Sequence, residues 1–146
     1  MRKILSFSVL LLLVGTVVGQ SLTAKKEGKQ WGFVNERDSF LVAPQYDAVG
    51  DFIGAYAWVN RGGKVKKNNL PVGGKWGLIN EKGELVCPLE YDFVAMPSEE
   101  LVAVSVGGVM SDNDMQGGKW GNVDVRTGKL VVSAEYDKVG NFYNGA

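Results

Sequence analysis

Histidine is absent from this 146-residue sequence. Its absence removes the commonest general base near neutral pH, the usual zinc ligand and every histidine-dependent nucleophile triad. The chain therefore reads as non-catalytic, with no cofactor implied. Cysteine occurs once, as Cys87, so no intrachain disulfide can form and apolar packing must hold the fold. Between Val86 and Pro88, Cys87 reads as a small core residue; a reactive thiol would need exposure and nearby positive charge. An excess of one charge sign is lacking too, with 16 basic against 16 acidic side chains. Such a balance supplies no phosphate-neutralising surface, so nucleic acid is not an expected partner.

A long apolar run is also missing. The longest, residues 4–18, follows the basic start Arg2-Lys3 and is shorter than the roughly 20 residues a spanning helix needs. Polar Gln20-Ser21 follows it without a basic flank. This pattern predicts a secretory signal peptide over residues 1–19, with Val17 and Gly19 at the cleavage positions and Gln20 as the new N-terminus. Cleavage leaves no membrane span and a secreted or periplasmic product, with 14 basic side chains against 16 acidic. Lipid attachment is not expected, because it needs a cysteine just after the apolar run and the single cysteine is Cys87.

What is present is a repeat. Trp31-Gly32, Trp76-Gly77 and Trp120-Gly121 stand 45 and 44 residues apart, and Tyr46-Asp47, Tyr91-Asp92 and Tyr136-Asp137 follow their tryptophans by 15, 15 and 16. After each Trp-Gly comes a short apolar stretch (Phe33-Val34, Leu78-Ile79, Val123), then Asn35, Asn80 or Asp124, then a polar turn. The chain returns through Phe40-Leu41-Val42, Leu85-Val86-Cys87 and Leu130-Val131-Val132, short runs bounded by turn residues, which are strand signatures. Pro44 and Pro88 are expected to end that second strand in two copies, since proline lacks a ladder amide. A third alternating stretch, residues 56–59 and 101–106, closes the first two copies.

These patterns predict an all-β domain over residues 20–146, in units of about 22–63, 64–108 and 109–146, the last incomplete. One unit is too small to bury its own apolar face, so short antiparallel strands and hairpins should stack into an open array, neighbour covering neighbour. A closed, propeller-like arrangement is the alternative. The three repeated indoles are expected to dominate the core, each worth roughly 4–6 kcal/mol if fully buried.

The strings Gln-Trp-Gly-Phe-Val-Asn-Glu (30–36), Lys-Trp-Gly-Leu-Ile-Asn-Glu-Lys-Gly (75–83) and Lys-Trp-Gly-Asn-Val-Asp (119–124), each followed by Tyr-Asp, resemble the WG-containing repeat family. The resemblance implies a repeat architecture and an exported or surface setting in a bacterium, and it implies no common activity. The usual unit of that family is shorter. Here two long connections depart from it, residues 64–72 and 109–116, each between Gly-Gly pairs at the same place in its unit. The first carries Lys64, Lys66 and Lys67, the second Asp112 and Asp114. Regular stacking would project them from one edge, where they are the candidate interaction loops for a protein partner.

Other candidate residues favour structural roles. Asp47, Asp92 and Asp137 could suggest a carboxylate pair, but a group repeated in every unit serves the unit, here by accepting turn amides. The run of residues 112–117 opens like a calcium loop yet has Val123 where a bidentate glutamate belongs, so a solvated acidic turn is preferred. Trp58 and Tyr56 have no aromatic counterpart in the second copy; core packing is the first reading and a stacking platform for a glycan the alternative. Finally, Ala146 falls where the closing strand of the third copy should begin. The chain is then either a fragment of a larger array, the reading preferred, or a protein with an open sheet edge.

Overall fold

The computed structural model describes residues 21–65, 71–111 and 114–137. The expected signal peptide, the tips of both long connections and the stretch after Asp137 lie outside the described residues. Every regular element among the described residues is a strand. None is a helix long and apolar enough to cross a membrane.

Three antiparallel sheets follow one another along the chain. The first has β1 (Thr23–Glu27), β2 (Gln30–Val34) and β3 (Phe40–Tyr46) in that order. The second takes β4 (Ala48–Val49), β5 (Tyr56–Arg61), β8 (Lys75–Asn80) and β9 (Leu85–Tyr91), with β6 (Lys64–Val65) and β7 (Pro71–Val72) set apart as a two-stranded ribbon. The third takes β10 (Phe93–Val94), β11 (Leu101–Val106), β14 (Lys119–Asp124) and β15 (Lys129–Tyr136), with β12 (Val109–Ser111) and β13 (Asp114–Gln116) as the corresponding ribbon. The closing stretches expected at 56–59 and 101–106 are thus strands β5 and β11.

The sheets are out of phase with the sequence copies. The closing strand of copy one, β5, pairs with the Trp-Gly strand β8 of copy two, Val59 opposite Gly77; β11 pairs with β14 in the same register, Val104 opposite Gly121. Each later sheet is therefore shared by two consecutive copies. In the first sheet β1 fills the place of a closing strand, Lys25 opposite Gly32. Its Lys25, Lys26 and Glu27 keep that strand polar, as suits an edge with no second partner strand among the described residues.

Alternation of side chains across a strand then decides what each sheet shares with its neighbours. Ala57, Val59 and Ile79 of the second sheet face the first and bury Phe33, Val42 and Tyr46. Leu78, Cys87 and Tyr91 of the same sheet face the other way, onto Val94, Val102, Val104 and Val123. Two cores result, each lying between consecutive sheets, and the middle sheet contributes to both.

The tryptophans do not dominate these cores. Trp31, Trp76 and Trp120 are each only partly buried, whereas Phe33 and Leu78, two residues on, are fully buried. An indole at the first positions of the strand reaches the rim of the interface, and the side chain two residues further in reaches its centre. Asn122, at the corresponding place in the third copy, is buried and polar.

Glycine after tryptophan has a direct cause. A Cβ on Gly32, Gly77 or Gly121 would meet the carbonyl oxygen of Val42, Cys87 or Val132 at 2.3, 2.5 or 2.3 Å. The partner strand is bulged there: Trp31 pairs Tyr46 and Phe33 pairs Val42, so two steps on β2 match four on β3. The same irregularity recurs between β8 and β9 and between β14 and β15. The extra residues fold the backbone over the glycine. Pro44 and Pro88 sit inside this bulge, within β3 and β9, and do not end the strand as expected. A bulge leaves backbone groups unpaired, so proline is tolerated where it would break a regular ladder.

Candidate functional site

The long connections are themselves built structure. Lys64 pairs with Val72 and Val65 with Pro71; Val109 pairs with Gln116 and Ser111 with Asp114. Both expected loops are therefore antiparallel hairpins, at equivalent places after β5 and β11. Glycine brackets them because the chain reverses sharply at their bases, with φ of 90° at Gly62 and 84° at Gly107. Lys64 is exposed on β6. Lys66, Lys67 and Asp112 lie outside the described residues, and Asp114 is placed on β13 by its backbone pairing.

The repeated aspartates hold these bases. Asp47 Oδ2 accepts the Gly62 amide at 2.6 Å, and Asp92 Oδ2 accepts the Gly107 amide at 2.6 Å. The two bonds span the same 15 residues, so the Tyr-Asp pair at the end of one edge strand fastens the hairpin that follows the next closing strand. The amides belong to hairpin bases distant in sequence, not to the aspartates' own turns. Asp92 also accepts Lys75 Nζ at 2.7 Å through Oδ1. Partial burial pushes the Asp92 carboxyl up, but Lys75 and the Gly107 amide outweigh it and leave the group below its ordinary value. Asp137 accepts Lys119 Nζ, which lowers its pKa as well. In the first copy Gln30 stands where those lysines stand and bonds the Gln45 carbonyl.

Below the first hairpin lies a group that repeat comparison passed over. Asn60 is fully buried; its Oδ1 accepts the Gly63 amide at 2.9 Å and its Nδ2 donates to the Gly73 carbonyl at 3.2 Å. Ser105 takes the same place in β11, fully buried, and its hydroxyl has no hydrogen-bond partner among the described residues. A polar residue inside an apolar strand, just before Gly-Gly, was the available signal at Val59-Asn60-Arg61 and Val104-Ser105-Val106.

Trp58 is directed inward. Its Nε1 donates to the Val94 carbonyl at 2.7 Å, and the ring packs with Tyr56 against the core between the second and third sheets. Tyr46, Tyr91 and Tyr136 pair with Trp31, Trp76 and Trp120 across their hairpins. Burial raises the Tyr46 pKa, against the Arg61 guanidinium 5.4 Å from its ring. Cys87 is fully buried and its thiol is pushed up to about 12, mainly by burial and further by Glu90.

At the opposite end of the strands, Asn35 Oδ1 accepts the amides of Arg37 and Ser39, and Asn80 Oδ1 those of Lys82 and Glu84. Asp124 accepts the Arg126 amide in the same way and also pairs with the Arg126 side chain, which reaches on to Glu100. These side-chain acceptors close the hairpin turns. The family model described as a WG containing repeat matches residues 31–64, 76–109 and 120–146, well over half of the chain. No curated protein and no solved structure matches it.

Proposed function

We propose a scaffold function for this chain, which belongs to the WG-containing repeat family and carries two hairpins of opposite charge on a stacked β frame. In this reading the protein is exported to the bacterial envelope, has no catalytic activity and binds another protein through those hairpins. The observation that carries it is the division of labour between repeated and unrepeated residues. The repeated Trp-Gly, Tyr-Asp and Asn or Asp positions are engaged in bulges, hairpin bases and turn closure. The hairpins are where successive copies differ in charge, and both leave the frame from equivalent positions. The absence of histidine and the balanced charge support a binding role over a catalytic one.

The inward donor bond of Trp58 counts against the glycan alternative, because a stacking platform needs an exposed ring face. Crosslinking of the protein in native envelope preparations, followed by the same experiment on a variant with residues 64–72 and 109–116 exchanged, tests the reading. A partner captured by the natural sequence and lost on exchange is the expected outcome; a partner retained after exchange contradicts it. Export has its own readout in the N-terminal sequence of the protein recovered from its source, expected to begin at Gln20.

A further inference from the structure

We infer that Lys25 and Asp38 close the outer face of the first sheet, so that copies of this chain cannot stack end to end through it. On the later sheets the face turned toward the preceding sheet is apolar and fully buried, with Ala57, Val59 and Ile79 in one and Val102, Val104 and Val123 in the other. In the first sheet Lys25 stands where Val59 and Val104 stand, each opposite the glycine of a Trp-Gly strand. Thr23 likewise takes the place of Ala57 and Val102. Of the three places only Val34 stays apolar, and it belongs to neither core. Lys25 Nζ donates to Asp38 Oδ2 at 2.7 Å and lies 5.9 Å from the centre of the Phe40 ring. Asp38 is in the turn after β2, Phe40 begins β3, and β1 lies on the other side of β2. The lysine stem therefore crosses the central strand on its outer face, near Val34.

The turn that carries Asp38 differs from its counterparts in the same sense. The amides of Asp38, Gly83 and Gly128 donate to the carbonyls of Asn35, Asn80 and Asp124, and all three residues are left-handed, with φ of 59°, 80° and 71°. Glycine suits that conformation, and the two later turns also lie against the preceding sheet. A Cβ on Gly83 would meet Val42 Cγ2 at 2.6 Å, and one on Gly128 would touch the Val86 carbonyl oxygen at 3.5 Å. Aspartate tolerates the left-handed region, and at position 38 it sets a charged side chain where a preceding sheet would lie. Docking a sheet there would strip water from the Lys25 ammonium and the Asp38 carboxylate, 42% and 70% exposed, and supply no new partner to either. As an exposed pair they add little to stability; their effect is on what can approach. The closure is independent of the scaffold reading, which concerns the hairpins.

Sedimentation velocity of the purified protein over a range of concentrations, as it is and with Lys25→Val and Asp38→Gly together, tests this. Both changes suit their places, a β-branched residue in a strand and glycine at positive φ, so the variant should fold. It is expected to associate at concentrations about tenfold or more below those at which the natural sequence does. Lys25→Arg, which keeps the charge and the length, should sediment as the natural sequence. A double variant no more associated than the natural chain overturns the inference, as does assembly of the natural chain that Thr23→Arg abolishes. Should the double variant fail to fold, zero-length carbodiimide crosslinking of the natural chain decides. An amide link between Lys25 and Asp38 is expected among its digested peptides, and the absence of that link overturns the closure.

Discussion

Tyr91 and Tyr136 occupy the same place in consecutive sheets, each opposite the tryptophan of its own hairpin, yet Tyr91 is 7% exposed and Tyr136 54%. The strands that carry them, β9 and β15, share the bulge, the glycine beneath it and the same kind of lysine–aspartate contact. What differs is the neighbour. Tyr91 faces the third sheet through the core it helps to form, and Tyr136 has no such sheet beside it among the described residues. Burial in this molecule therefore belongs to the interface between sheets and not to the repeat as a sequence. Identical residues should contribute differently according to which sheets they lie between.

Truncation of the two tyrosines gives the largest expected contrast. Tyr91→Ala removes a buried ring from the core and should cost about 3–5 kcal/mol, whereas Tyr136→Ala should stay within about 0.5 kcal/mol, both read from denaturant midpoints. Equal costs would break the comparison. Next are the glycines under the bulges: Gly77→Ala forces β9 away from a packed interface at about 3 kcal/mol, and Gly121→Ala should cost less because β15 can shift outward. The reverse order would mean that the bulge, not the interface, sets the constraint.

Much of this was legible in the sequence, and the part that was not has a physical reason. Trp-Gly and Tyr-Asp recur because backbone geometry leaves no choice at Gly32, Gly77 and Gly121, and because Asp47 and Asp92 must reach an amide 15 residues away. Strands, turns and period followed from those fixed points. The core centre is less constrained, since any well-fitting side chain serves. It changes from Phe33 to Leu78 to the polar Asn122 as the neighbour changes, so comparison of copies gave it little weight and favoured the constant indoles instead. The phase of the sheets was hidden for a related reason. A copy begins where identity is strongest, but a sheet begins where a closing strand finds the next Trp-Gly strand. Asn60 and Ser105 escaped notice because one amide and one hydroxyl do not look like a repeated position until their burial is known.

Smaller effects sharpen the comparison further. Trp58→Phe removes the donor to Val94 and leaves that carbonyl without its partner, at a cost of about 1–2 kcal/mol, which thermal unfolding would register. Acid should then separate Asp92 from a plain surface carboxylate. Its folded pKa lies below the ordinary 3.8, so its contribution is complete above that value and is lost as the pH falls through the depressed one. Asp92→Asn should lower stability at neutral pH, where that contribution is complete, and flatten the fall in stability across that acid window. A variant whose stability still falls as steeply in acid as that of the natural sequence would refute the assignment.

The account rests on apolar cores that lie between consecutive sheets, and Cys87 reports on one of them directly. It is fully buried on the face of the second sheet that meets Val102, Val104 and Val123 of the third. The rate at which a thiol reagent modifies Cys87 under native conditions therefore measures how often those sheets part. The account predicts slow labelling in the natural sequence and a rise of about tenfold or more in Val104→Ala, which alters only the opposite sheet. Labelling at the rate of the unfolded chain, or a rate indifferent to Val104, would contradict it.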